Sequence, residues 1–171
     1  GGDSSSNYSS MAETLRSGLS FGMSGFGYWS HDISGFEASA TPDLYRRWTQ
    51  FGLLSSHSRY HGSTTYKVPW LYGEKSVENT KKYTNLKLKL LPYLMAMSNE
   101  AHYHGTPILR SMVLEFPNDP GCEDLDMQYL LGSNLLVAPI FNDQGLATFY
   151  VPEDEGKWIS ILTGKAYEGG R

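Results

Sequence analysis

The sequence predicts an α/β fold of parallel βα units that gives way, near its C-terminal end, to an all-β segment. Three observations carry this reading. Helix and strand patterns alternate up to about Phe116, the acids and histidine that could do chemistry fall just after strand patterns, and beyond Asn134 the texture changes to short apolar runs separated by turn signals.

Ser10-Met11-Ala12-Glu13 reads as a capping box, and Met11, Leu15 and Leu19 then recur every fourth residue on one helical face. That helix is expected to end near Gly18, with Phe21 to Ser30 following as a buried, glycine-rich strand. Thr41-Pro42 reads as a helix start with proline at the first position, and Leu44, Tyr45, Trp48 and Phe51 supply the apolar stripe. A long helical stretch from a cap at Ser76 to about His104 is expected to bend or break at Pro92, which lacks a backbone donor, and to stop at Gly105.

Pro107 to Phe116 reads as a strand, Pro117 to Gly121 as a tight connection and Asp124 to Leu131 as a short helix. Asn134 to Ile140, Ala147 to Val151 and Trp158 to Leu162 then read as a meander of three strands. The architecture is expected to change between about residues 107 and 133. On this basis 1–118 is assigned to the α/β part and 119–171 to a linker helix and the start of an all-β domain.

With 14 basic and 18 acidic residues and no long run of either sign, the chain is a poor match for nucleic acid or an anionic membrane. No apolar stretch approaches the roughly 20 residues a membrane span needs. Cys122 is the single cysteine, so an internal disulfide and a cysteine-based zinc site are excluded, and a reducing, cytoplasmic location is expected. The chain opens directly on an apparent site residue, without an initiator methionine or a signal-like segment, so its start is expected to be a cut. Aromatics make up 13 % of the chain, and tyrosine and tryptophan present the apolar face and polar tip that stack on a sugar ring while bonding its hydroxyls.

Three polar positions stand out among these aromatics: Asp3 after Gly1-Gly2, Asp32 within Gly25 to Phe36, and His61 in Arg59-Tyr60-His61-Gly62. Two acids and a histidine in such company suggest a sugar site. From spacing alone Asp3 reads more readily as a helix cap, and Asp32 as a turn former, than either does as a site residue. His57 and His61 stand one helical turn apart, but with neither a neighbouring glutamate nor cysteine support a metal site is not expected. Gly22 to Gly27 lacks dinucleotide-binding spacing, and the serines from Ser4 to Ser10 form no nucleophile elbow. Asn7-Tyr8-Ser9 matches a glycosylation acceptor but lacks a secretory context, and His102 and His104 fit a helix C-terminus.

Several runs together resemble glycoside hydrolase family 31, and more closely its bacterial α-xylosidase branch. They are Gly2-Asp3, Trp29-Ser30-His31-Asp32-Ile33-Ser34-Gly35-Phe36, Arg47-Trp48-Thr49-Gln50-Phe51-Gly52, and Leu54 through Gly62. Leu91-Pro92-Tyr93-Leu94, Leu114 through Asp119 and Leu131 through Pro139 follow in family order across nearly the whole chain. The branch assignment rests on Gly2 to Met11 and on Ser55 to Trp70.

The resemblance implies the C-terminal part of a (β/α)8 TIM barrel followed by the start of an all-β proximal domain. It implies that Asp3 is the general acid/base, that Asp32 and His61 bind sugar hydroxyls in the −1 subsite, that Phe36 lines it and that Trp29 contributes to its wall. The nucleophilic aspartate of the family lies on an earlier barrel strand. The implied activity is that of a retaining exo-acting α-xylosidase, with α-glucosidase as the alternative and a non-catalytic structural fragment as the competitor from another class. No cofactor or metal is implied. The expected partners are an oligosaccharide or other α-glycoside, and a second copy or the remaining barrel half to cover the open edge of the sheet.

Overall fold

The computed structural model describes residues 2–154 and 156–171. Helix α1 spans Tyr8–Met23, and its N-cap is Asn7, whose side chain accepts from the Ser10 amide at 2.8 Å. The start is therefore earlier than the capping box at Ser10 suggested, and the end lies beyond Gly18. Gly18 is not a stop: the indole of Trp29 lies on the helix at that point, where a Cβ could not fit. Gly22 likewise lets the helix approach the Leu109 carbonyl. The expected strand from Phe21 to Ser30 is accordingly absent. Phe21 closes α1 and meets Phe26 edge-on at 5.3 Å, both rings about half exposed.

A parallel βα unit follows. Strand β1 (Asp32–Ile33) pairs in parallel with β2 (Arg59–Tyr60), Asp32 lying opposite Arg59, and helix α2 (Pro42–Leu53) makes the crossover. The sequence signals for α2 hold: Thr41 Oγ1 accepts from the Leu44 amide, Pro42 opens the first turn, and Asp43 complements the helix dipole there. Leu44, Tyr45, Trp48 and Phe51 are buried, and Gly52 lets α2 close onto Ile33. A parallel bridge between Ser5 and Glu37 brings the N-terminal segment alongside the loop after β1.

After a 3-10 turn over Pro69–Tyr72 come α3 (Glu74–Lys89) and α4 (Leu91–His104). The break expected at Pro92 divides them. The proline sits in the first turn of α4, where its missing donor costs no intrahelical bond. Gly105 ends α4 in the left-handed region at φ 76°. Ser76 is not the cap of α3, since Gly73 takes that position and the Ser76 hydroxyl donates to the Tyr72 carbonyl.

The remaining strands are antiparallel. β3 (Leu109–Arg110), β4 (Tyr129–Leu131) and β5 (Leu135–Val137) form one sheet in that order, and β6 (Trp158–Ile159) and β7 (Ala166–Tyr167) form a hairpin. The strand expected over Pro107 to Phe116 is thus two residues long. Arg110, buried, pairs with Glu100 and Glu115, and the chain turns into the short helix α5 (Met112–Glu115). The helix expected over Asp124 to Leu131 is replaced by β4, whose three side chains are all buried between neighbouring layers. Ala147 to Val151 forms no ladder strand, although Val151 exchanges backbone bonds with Gly170 and Arg171.

The main core joins α1, α2, β1 and β4 through Met11, Leu15, Ile33, Trp48, Phe51 and Tyr129. At its centre His31 accepts a hydrogen bond from Trp48 Nε1 at Nδ1 (2.9 Å) and stacks on Phe51 at 4.3 Å. The ring proton therefore lies on Nε2, facing Ser55 Oγ at 3.4 Å. Burial, with help from the charge of Lys87, pushes the His31 imidazole down from 6.5 to about 3, so it is neutral when folded. In the unfolded chain it takes a proton below 6.5. Its contribution to stability is therefore complete above that pH and declines as pH falls toward 3. Urea unfolding of the full-length protein and of His31→Gln at pH 7 and 5 checks this. The wild type is expected to lose about 2 kcal/mol more than the variant over that step.

Candidate active site

The site is assembled by backbone bonds between three rim segments. The Ser4 carbonyl, one residue after Asp3, accepts from the amides of Phe36 (2.8 Å) and Glu37 (3.0 Å). The Phe36 carbonyl in turn accepts from the Ser63 amide at 3.0 Å, two residues after His61. The segments bearing Asp3, Phe36 and His61 are stitched edge to edge, beyond the C-terminal ends of β1 and β2. Asp3 and His61 are exposed, and the Phe36 and His61 rings lie 5.3 Å apart at a tilt of 43°.

Asp32 is 2 % exposed and receives the Arg59 Nε hydrogen bond on Oδ1 at 2.6 Å. Among the described residues no donor bonds Oδ2. Arg59 is half exposed, so the pair is a buried carboxylate held by a cation at the surface. A carboxylate with one oxygen committed and one open is suited to accept from ligand hydroxyls. Sequence reading marked Arg59 as a motif position without a firm role, and the register of β1 on β2 supplies one.

Sharp turns bring these groups together. Ser34 and Ala38 take positive φ values of 74° and 61°, and Gly35 lies at 80° with its Cα against Ser6, where a Cβ would come within 2.8 Å of the Ser6 Cα. Left-handed backbone at non-glycine residues costs on the order of 1–3 kcal/mol each and persists where the surroundings over-determine it. Ser34 is fully buried, and the Ser6 hydroxyl reaches the Ser34 and Glu37 carbonyls at 2.8 and 2.7 Å.

Trp29 requires a correction. Its indole packs against α1 at Gly18 and beside His31 at 5.5 Å, on the helix-facing side of β1, while Asp32 bonds Arg59 of β2. Alternation along the extended chain accounts for this: Trp29 and His31 share one face and Asp32 the other. The structure joins the segments of Asp3, Phe36 and His61, ties Asp32 to Arg59 and places Trp29 against α1.

Two lysines went unmarked in the sequence. Lys87 Nζ donates to the Ser55 carbonyl (2.6 Å) and Ser58 Oγ (2.7 Å), holding the loop that enters β2, and burial lowers its pKa to about 8. It is one of several lysines on α3 and carries no distinguishing sequence signal. Lys67 is 4 % exposed, and burial holds its ammonium below the usual lysine range. Its position in the aromatic and apolar run Tyr66-Lys67-Val68-Pro69-Trp70 was a usable signal.

An apolar cavity of about 430 Å³ lies elsewhere, between α2, α3, β5 and β6, and is lined by Phe51, Leu54, Leu86, Val137 and Trp158. Among the described residues no three His, Cys, Asp or Glu side chains converge as a metal site would require. No helix among them is long and apolar enough to cross a membrane.

Comparison with known proteins supplies the family. Residues 1–97 match the model of the glycosyl hydrolases family 31 TIM-barrel domain, and residues 105–171 that of the glycosyl hydrolase family 31 C-terminal domain. The chain is 53 % identical to an α-xylosidase of Emericella nidulans over its whole length, and 57 % identical over 92 % of its length to the α-xylosidase XylQ of Lactiplantibacillus pentosus. It spans 23 % and 21 % of those relatives. In structure it is similar to a family 31 dextranase of Flavobacterium johnsoniae complexed with glucose, with a TM-score of 0.88 and 36 % identity over 96 % of this chain and 21 % of that one. The fold is therefore the C-terminal part of a TIM barrel followed by the start of the family's C-terminal domain, and the chain belongs to glycoside hydrolase family 31.

Proposed function

We propose that the full-length protein is a retaining, exo-acting α-xylosidase that releases α-xylose from non-reducing ends. The observation that carries this is the stitched rim, which sets an exposed carboxyl, Asp3, in the same rim as a fixed hydroxyl acceptor, Asp32, and an imidazole, His61. The identity above 50 % to two α-xylosidases supports the choice of xylose. α-Glucosidase is the second reading, favoured by the resemblance to a structure holding glucose.

In this reading a carboxylate from an earlier barrel strand attacks the anomeric carbon as the glycosidic bond breaks, and Asp3 gives its proton to the departing oxygen. The ionised Asp3 then takes a proton from water as that water's oxygen attacks the glycosyl-enzyme and frees the nucleophile. Such pairs stand about 5–5.5 Å apart in retaining enzymes. Asp32, with Oδ2 open, accepts from ring hydroxyls, and His61 adds a further bond. The ring of Phe36 lines the subsite. Trp29 is left out of that wall because its indole faces α1.

The division into a barrel part over 1–118 and a linker helix with the start of the all-β domain over 119–171 belongs to the same proposal, as do a cytoplasmic location and coverage of the open barrel edge by the rest of the protein or a second copy. β3 already bonds to the later sheet, so the two parts share backbone hydrogen bonds across that division.

In the full-length enzyme, Asp3→Ala is expected to slow an unactivated α-xylosyl disaccharide far more than α-xylosyl fluoride, which needs little protonation. Steady-state kinetics with both substrates checks it, and equal losses would contradict the acid role. Asp32→Asn and His61→Ala are each expected to lower kcat/KM by the equivalent of about 2–3 kcal/mol, through contacts that strengthen in the transition state. Near-normal kinetics in both would remove them from the subsite.

A further inference from the structure

Lys67 touches no substrate in this reading, yet it lies where the three rim segments meet. Its ammonium donates to the Ala38 carbonyl at 2.6 Å and to Ser6 Oγ at 3.4 Å. No carboxylate among the described residues lies within ion-pair distance, so a carbonyl and a hydroxyl alone hold the charge. A buried ammonium is costly unless its bonds organise something. What these bonds join is specific: Ser6 follows Asp3 in the first segment, Ala38 follows Phe36 in the second, and Lys67 belongs to the third, after His61.

The packing repeats the connection. Because Lys67 donates to Ser6 Oγ, that hydroxyl sends its one proton toward the Ser34 or Glu37 carbonyl, at 2.8 and 2.7 Å. The Ala38 carbonyl, on left-handed backbone at φ 61°, also receives Thr65 Oγ1 at 3.3 Å. The stem of Lys67 lies against Gly62, the residue after His61, since a Cβ there would meet Lys67 Cε at 2.5 Å.

We propose that Lys67 is a positioning residue for glycoside cleavage: its ammonium ties the Ser34–Ala38 turn to Ser6 and so holds Asp3 in register with Asp32 and His61. This rests on the reading of Asp3 as the general acid. Proton transfer to a leaving oxygen tolerates misplacement poorly, whereas a sugar held by several hydroxyl contacts tolerates it better. Loosening the tie therefore penalises substrates that need protonation.

The test measures kcat/KM of the full-length enzyme and its Lys67→Met, Lys67→Arg and Ser6→Ala variants on α-xylosyl fluoride and on an unactivated α-xylosyl disaccharide. Lys67→Met is expected to lose about tenfold more on the disaccharide than on the fluoride. Lys67→Arg restores most of that difference, and Ser6→Ala shifts the ratio in the same direction to a smaller extent. An unchanged ratio in both Lys67→Met and Ser6→Ala overturns the proposal, as does Lys67→Arg performing no better than Lys67→Met. If Lys67→Met does not fold, the Ser6→Ala ratio decides alone, a shift supporting and no shift overturning. Asp3→Ala, run alongside, separates the two claims: without leaving-group dependence there the Asp3 assignment fails, and with it a failure at Lys67 is the failure of Lys67 only.

Discussion

The carbonyls of Ser4 and Phe36 are the points on which the rest of the rim depends. Each accepts from the segment beside it, so three stretches far apart in sequence become one continuous edge. A single backbone bond contributes only about 1 kcal/mol net, and its larger value here is geometric. Once Ser4 is bonded to Phe36 and Phe36 to Ser63, the positions of Asp3 and His61 are fixed relative to one another through the backbone, independent of any ligand. The left-handed turn at Ser34 and Ala38 follows from this demand, because the chain must double back to present the Phe36 amide to Ser4.

Behind that edge the strand divides its labour by alternation. Asp32 is held by Arg59, whereas Trp29 and His31 face the helices. The His31 to Trp48 bond anchors the start of β1 to α2, and the Phe51 ring stacks on the imidazole. In the proposed role of Asp32 such a neighbour is useful, since a rigid support keeps a hydroxyl acceptor aimed as a sugar ring flattens. Lys87 does the equivalent for the loop entering β2, gripping it from α3.

Much of this was legible from the sequence. Thr41-Pro42 located α2, Pro92 the division between α3 and α4, and Gly105 the end of α4, because each acts through its own backbone chemistry. Elements set by tertiary contact were not legible. Gly18 reads as a helix end and is instead a docking place for Trp29, and Tyr129 to Leu131 reads as helix until the flanking sheet and helices bury it on both faces. At the site, Asp3, Asp32, Phe36 and His61 were marked by motif, but the face Trp29 presents and the partner Asp32 holds depend on pleat and register, which spacing alone does not state. Lys67 went unmarked, although it stands alone among the aromatic and apolar residues of Tyr66 to Trp70, and its partners come from segments that only the fold brings near.

In the proposed reading one sugar is gripped by the stitched rim. A crystal structure of the full-length enzyme with a bound xylose-configured inhibitor tests it most directly. The ring is expected against Phe36, with Asp32 Oδ2 and His61 bonded to its hydroxyls and the Asp3 carboxyl within hydrogen-bond reach of the glycosidic oxygen position. An inhibitor seated in the apolar cavity between α2, α3, β5 and β6, or one on the rim with Asp3 turned away and Asp32 making only its bond to Arg59, would contradict it.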